Sequence, residues 1–287
     1  MVNLIGVLFD GAAYGMLLFL LAVGLSVTMG LMGFVNLAHA AFAMVGGYAL
    51  VTLASSLHFP FAAAVAGAAL VAGLLGLVLE SLVYRPLYRA KPLAQVLMTV
   101  GLIFVAMSVA TFTFGPGQQA VDIPDGLRGR WAVGPFEFSR YRLLTVGVGL
   151  AVALAVLYAL ERTRAGAQIR AAVDNQKVAA SMGIRVHLLF RLVFAAGSAL
   201  AGMGGALGVE VFGLDPGFPI KYLIYCLLVV VVGGTGSVLG TLYAALGVGI
   251  ADVAGKYYLP EAGAFVVYVL MMVSLLLFPN GLKGRAA

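Results

Sequence analysis

Long apolar runs broken by short polar stretches set the pattern of this chain, and a membrane-spanning helix needs about 20 such residues. Residues 4–57 carry only Asp10 and His39 as charged or imidazole interruptions, too long a run for one span and about right for two. Gly30 and Gly33 lower helix propensity inside that run. The pattern therefore predicts a first span over 7–29, a break over 30–36, and a second helix over 37–55 capped by Asn36. His58, Phe59 and Pro60 form a short turn, and a third span over 61–83 offers Ala69, Gly73 and Gly76 for close helix contact. A basic loop at 84–92 follows, then a fourth span at 93–113. The loop 115–142 has mixed charges, contains Pro116, Pro124 and Pro135, and holds the only tryptophan, Trp131.

Apolar sequence at 143–160 leads to the longest polar stretch, 161–191, and residues 192–209 cross back. That span carries Gly197, Ala201 and Gly205 on one face and Gly204 with Gly208 on an adjacent one. A loop at 210–221 has the turn chemistry of Asp215, Pro216 and Gly217. Residues 222–251 have no charge at all, and one straight helix there would be about 45 Å long. Gly233, Gly234 and Gly236, with Thr235 and Ser237, predict a break instead. A short loop at 252–261 and a last span at 263–278 precede Pro279, Asn280 and a basic tail. The expectation is an all-α polytopic membrane protein of eight or nine segments forming a single transmembrane domain over 1–287. Residues 1–9 lack Lys and Arg and lead into apolar sequence much longer than a signal core, so they belong to the first segment. With every crossing full, the N-terminus lies outside and the C-terminus inside; a re-entrant half-helix at either break would change the count.

The two interrupted regions, 27–50 and 229–250, share one design. Each has a glycine-rich break, a polar residue just after it (Asn36, Ser237), and then an apolar helix rich in Gly and Ala. Broken helices in corresponding positions of two halves point to a transport pathway, because free backbone groups bind polar parts of a solute only where they line a cavity. The pathway candidates are Asn36, His39, Gly233, Gly234, Thr235 and Ser237, with His39 three residues after Asn36 on the same helix face. Close packing, or ordinary loops between spans, accounts for the same glycines equally well, and His39 could instead make a structural bond between helices.

The polar stretch fixes orientation. It carries Arg162, Arg164, Arg170, Lys177, Arg185 and Arg191 against Glu161 and Asp174, which places it on the cytoplasmic side. Within it Asn175 is an N-cap, 176–182 is rich in helix formers, and Gly183 stands where a C′ glycine ends a short helix. A brief helix in a cytoplasmic loop is a docking feature. The loops 115–142 and 210–221 then face outside.

Composition agrees: 63% of the residues are hydrophobic and 10% charged, where a soluble domain has about a quarter charged. The net charge of +6 is not a nucleic-acid signal. Eleven of the seventeen Lys and Arg residues fall in 85–91, 162–191 and 283–285, so the excess is topological, with some affinity for anionic lipid. The 38 glycines fit helices that associate in lipid through small residues.

Catalytic chemistry finds little support. None of the five lysines stands in a P-loop, so the chain is not expected to bind ATP. His39, His58 and His187 lack metal-ligand spacing, Cys226 is a lone apolar-run thiol, and no serine stands in a G-x-S-x-G elbow. No cofactor and no metal are expected. Asp10 and Glu80 lie near span ends, where reaching the interface is the simplest reading.

Three blocks carry a resemblance. The first runs from Gly33 through Asn36, Leu37, Ala38, His39 and Ala40 to Gly46, Gly47 and Tyr48; the second from Thr163 through Gly166, Arg170 and Asn175 to Met182, Gly183 and Ile184; the third from Gly233 and Gly234 through Gly236 and Ser237 to Gly240. Together and in this order they resemble the permease subunits of branched-chain amino acid ABC importers, over nearly the whole chain, and in particular the smaller permease of the pair. Ala40 departs from the family's usual glycine. The resemblance implies a subunit that moves solute without its own ATP site and pairs with a homologous permease. It also implies two cytoplasmic ATPases that dock on 163–184 and a soluble substrate-binding protein outside. The coupling residues it implies are Arg170, Asn175, Lys177, Ala179, Ala180, Met182 and Gly183, with Ala179, Ala180 and Gly183 small enough to seat in a groove.

The apolar pathway suits Leu, Ile or Val, while similar permeases carry urea, short amides or other amino acids. An ion-coupled secondary transporter would also have broken helices, but needs an intramembrane carboxylate, for which only Asp10 and Glu80 offer themselves. A membrane-embedded enzyme or scaffold is the remaining class.

Overall fold

The computed structural model describes residues 2–33, 35–88, 90–133, 136–277 and 281. Among these residues twelve α-helices and one hairpin follow one another: α1 Val2–Met32, α2 His39–Val51, α3 Phe61–Leu79, α4 Arg85–Leu87, α5 Pro92–Phe114, β1 Arg130–Val133, β2 Phe136–Ser139, α6 Arg140–Arg162, α7 Arg164–Asp174, α8 Gln176–Ser181, α9 Val186–Phe212, α10 Phe218–Gly233, α11 Val238–Tyr258 and α12 Gly263–Leu277. Among the described residues seven helices are long and apolar enough to cross a membrane, and Phe218–Gly233 and Phe265–Ser274 are shorter apolar ones. Helices suit lipid because each satisfies its own backbone groups.

The bundle is built around α1, which lies between α9 and α11 and is wholly buried from Leu17 to Val23. Side-chain size decides this packing, since lipid gives no hydrophobic drive for association. Gly24 of α1 sits directly against the backbone of Gly197 in α9, and Gly46 of α2 against Gly202. A Cβ on Gly15 would stand 2.7 Å from the Ala245 carbonyl of α11, and one on Gly11 would stand 2.6 Å from the Ile250 Cα. Gly73 and Gly76 bring α3 against Ala199 and Ser198 of α9. By contrast α5 and α6 lie at the periphery and expose Leu97, Phe112, Leu154 and Tyr158.

Several boundaries differ from the sequence-based expectations. Asn36 does not cap the second helix: α2 begins at His39, after Ala38, which gives no side-chain cap. The helix α2 then runs on through a π-turn, Thr52–Ser56, and α3 through another, Glu80–Tyr84, so the loop expected at 84–92 is partly helical. The loop 115–142 holds an antiparallel hairpin that pairs Trp131 with Phe138 and Val133 with Phe136. Pro135, and the span end and tail read at Phe278, Pro279, Asn280, Lys283 and Arg285, lie outside the described residues, as do Phe34 and Arg89.

The loop read at 210–221 shrinks to 213–217, because α9 runs to Phe212 and α10 starts at Phe218. No loop exists at 252–258: α11 continues to Tyr258 and buries Asp252, whose charge had been taken as the end of a span. The carboxylate is tolerated there because Tyr225 and Lys256 both donate to it, at 3.1 and 2.6 Å. Glu80, read as reaching the interface, is also buried, with Tyr88 Oη donating to it at 3.1 Å.

Two ends of the bundle differ in chemistry. At one, charges are matched: Asp10 pairs with Arg142, Arg130 with Glu137, and Arg128 with Asp122 and Asp125. Phe9 stacks edge-on to Phe138, tying the hairpin to the start of α1. The other end carries α4, α7 and α8, with six Arg and Lys residues over 162–191 against Glu161 and Asp174.

Candidate functional site

Both chain breaks and the α7–α8 pair meet at the second end, around the last turns of α1. The break after α10 is short and tightly tied. Gly234 and Gly236 take φ values of +90° and +79°, which glycine adopts without the Cβ clash other residues meet. The Gly236 N–H donates to the Ser26 carbonyl at 2.9 Å, and Gly236 rests on Gly30. Ser237 is a true N-cap, accepting from the Gly240 N–H at 3.1 Å. Thr241 Oγ1 meets Ser26 Oγ at 2.9 Å, a further tie to α1. Gly233 and Gly234 are buried, while Thr235 and Gly236 are exposed.

The break after α1 is longer and differently made. Gly33 turns the chain with φ +62°, and Asn36 folds its side chain back to accept the Ala38 N–H at 3.0 Å. The same Oδ1 accepts from Tyr84 Oη, also at 3.0 Å, joining the break to α3. Asn36 and His39 are each 1% exposed, yet Asn36 Nδ2 and His39 Nε2 have no hydrogen-bond partner among the described residues. Phe42 follows, 6.2 Å from the His39 ring, and packs edge-on to Phe194 of α9.

Beside this break lies a cavity of about 490 Å³ between α2, α3 and α5, lined by Ala38, Phe42, Tyr48, Tyr84 and Leu102 among others. Its lining is almost entirely apolar, and none of the six pathway candidates reaches it. The structure therefore brings Asn36 and His39 together on one side of α1 and Gly233 to Ser237 together on another, without joining the two sets in one pocket.

The helix read from Asn175 to Gly183 is present as α8, Gln176–Ser181. Asn175 Oδ1 accepts from the Lys177 and Val178 N–H groups at 3.0 and 3.1 Å. At the other end Gly183 takes φ +85°, the Ile184 N–H donates to Ala179 and the Gly183 N–H to Ala180, which is a complete Schellman stop. Preceding it is α7, an amphipathic helix the sequence reading missed. Thr163 caps it by accepting from Gly166 at 3.1 Å, and Arg170 folds back to donate to the Leu160 carbonyl. Its inward face is Ala172 with Ile169, spaced by three, and that spacing was the available signal.

Together α7 and α8 sit on α1 and α9 through one apolar cluster of Leu31, Ala172, Ala179, Leu189, Phe190 and Val193, with Tyr88 packed against it. Gln176 Nε2 adds a bond to the Leu31 carbonyl at 3.3 Å. One expectation is corrected here: Ala179 is 1% exposed and turned into the bundle, so it cannot line a free groove-seating face. The free face of α8 carries Val178 and Met182, 54% and 76% exposed, beside Lys177, Ala180 and Gly183.

Comparison with known proteins decides the family. The family model described as "Branched-chain amino acid transport system / permease component" matches residues 7–275. The chain belongs to this family. It is accordingly a multi-pass inner-membrane protein and a permease component. The high-affinity branched-chain amino acid transport system permease protein LivH of Escherichia coli K12 is 27% identical over 293 residues, covering 97% of this chain and 94% of that one. BraD of Pseudomonas aeruginosa, a permease protein of the same description, is also 27% identical, with 97% and 95% covered. A probable LivH of Methanocaldococcus jannaschii is 26% identical over 287 residues. PsaBC from Streptococcus pneumoniae, solved with a Fab, shares the fold with a TM-score of 0.55 at 15% identity, covering 96% of this chain and 92% of that one.

Among the described residues no three His, Cys, Asp or Glu side chains gather as metal ligands. The buried carboxylates Glu80 and Asp252 each take their hydrogen bonds from neighbouring side chains.

Proposed function

We propose that this permease imports branched-chain or other hydrophobic amino acids, driven by ATP that partner subunits hydrolyse. It pairs with a homologous second permease, and two cytoplasmic ATPases dock on the free face of α8. A soluble binding protein delivers solute to the opposite end, at the hairpin and the 213–217 turn. The observation that carries this reading is α8 itself: a helix stopped at both ends, anchored by Ala179 and Gln176, and offering Val178 and Met182 outward. Exposed apolar side chains on a basic loop are what a partner groove would cover. The side with the basic excess, Arg162, Arg164, Lys177, Arg185 and Arg191 among it, is the cytoplasmic one by the positive-inside tendency. The breaks beside Asn36 and Gly233 line the path in this reading.

The test is reconstitution with both permeases, the ATPases and the binding protein in vesicles. Uptake of Leu, Ile and Val should require ATP. Replacing Gly183 by valine puts a β-branched residue at φ +85°, costing roughly 1–2 kcal/mol at that residue. That is enough to distort the end of α8 while leaving the bundle in the membrane. Transport should fall by about tenfold with the amount of inserted protein unchanged; intact transport would refute the coupling role.

A further inference from the structure

The π-turn Glu80–Tyr84 in α3 stands between the α7–α8 seat and the first chain break. A π-turn inserts one extra residue into the helix and recurs at functional sites. Here it turns Glu80 and Tyr84 inward, at 1% and 0% exposure. On one side Tyr84 Oη donates to Asn36 Oδ1 at 3.0 Å, and its ring lies 4.7 Å from Phe194. On the other, Tyr88 Oη donates to Glu80 Oε1 at 3.1 Å, its ring packs edge-on to Phe190, and it joins the cluster that holds Ala179 and Leu31. The π-turn thus stands between two sets of contacts, with Glu80 and Tyr88 on the side of the cluster that holds Ala179 and with Tyr84 on the side of Asn36.

The side of Asn36 is incompletely bonded. Among the described residues Asn36 Nδ2 and His39 Nε2 are buried without partners, and so is Ser198 Oγ, one turn from Phe194 on α9. A buried polar atom without a partner favours any rearrangement that supplies one. The Oδ1 of Asn36 ties the break to Tyr84 as well as to the Ala38 N–H, and its Nδ2, without a partner among the described residues, can bond in a second arrangement.

We infer that the Glu80–Tyr84 π-turn carries movement of the α7–α8 pair into the break at residues 33–38, with Tyr88 following the pair and Tyr84 holding Asn36. Tyr84 and Tyr88 are positioning residues for transport. This rests on the importer reading above.

The experiment uses the complete reconstituted complex and reads amino acid taken up and ATP hydrolysed in the same vesicles. Tyr84→Phe keeps the ring on Phe194 and removes only the hydroxyl. Solute moved per ATP should fall roughly fivefold, the order expected for one hydrogen bond. Asn36→Leu, which also removes the bond from the Ala38 N–H, should give at least the same fall, and the double variant should be no worse than Asn36→Leu alone, because the bond to Tyr84 is already lost in it. A merely structural role would lower uptake and hydrolysis in step, leaving their ratio unchanged, and that result overturns the inference. A double variant that loses the product of the two single losses overturns it as well. If the wild-type complex takes up no amino acid on ATP, the importer reading falls and this inference falls with it.

Discussion

The two breaks look alike in sequence and are opposites in structure. Both join a glycine-rich interruption to a polar residue and a helix of small residues, yet only Ser237 caps its helix. The second break is four residues tied to α1 by the Gly236 N–H on the Ser26 carbonyl, with no room left between Gly30 and Gly236. The first is bridged by side chains: Asn36 to its own backbone and to Tyr84, with two buried polar atoms left over. A backbone bond beside close-packed glycines admits one geometry, whereas a side-chain bridge can be exchanged. In the account inferred above, the second break is a fastening and the first a moving part.

Substitutions can break or sharpen this contrast. The largest effect is expected from Gly236→Val. It combines about 1–2 kcal/mol for a β-branched residue at positive φ with about 1–3 kcal/mol of overpacking against Gly30. Little monodisperse protein should survive detergent extraction; normal recovery would mean that the second break is not fixed. Gly33→Val at the first break meets the same backbone strain, but a Cβ there has open space around it. A loss of only about 1–2 kcal/mol follows, visible as a lowered thermal midpoint with the protein still recovered. Ser237→Ala removes a cap and should cost about 1 kcal/mol. Its solute moved per ATP should equal that of the wild type, in contrast to Tyr84→Phe and Asn36→Leu. A changed ratio would place the second break among the moving parts.

The smallest effect is expected from Lys177→Ala. Its side chain is exposed on the free face of α8. Stability should be unchanged within about 0.5 kcal/mol, and ATPase affinity should fall modestly and mainly at low salt.

The sequence made the helical class and both breaks legible, because apolar run length and paired glycines are strong signals in a membrane protein. The caps of α8 were legible too, since Asn175 and Gly183 each fit one role. Asp252 misled because a charge in an apolar run was read as a span end; Lys256 pairs with it one turn along α11, but Tyr225 becomes a partner only when α10 packs on α11. Asn36 misled for a related reason. Its side chain could cap a helix, but a bond from Tyr84, 48 residues away, holds it two residues short of the cap position. Ala179 could be recognised as a small residue on α8, but which face it occupied depended on how α7 seats the pair.

The most direct measurement purifies the tagged chain from its native membrane in mild detergent and identifies what comes with it by mass spectrometry, beside a Met182→Glu variant. Wild-type chain should bring a second permease and P-loop ATPases, and the variant should keep the permease and lose the ATPases. A homo-oligomer of the chain without any ATPase, or ATPases retained by the variant, would contradict the role assigned to α8.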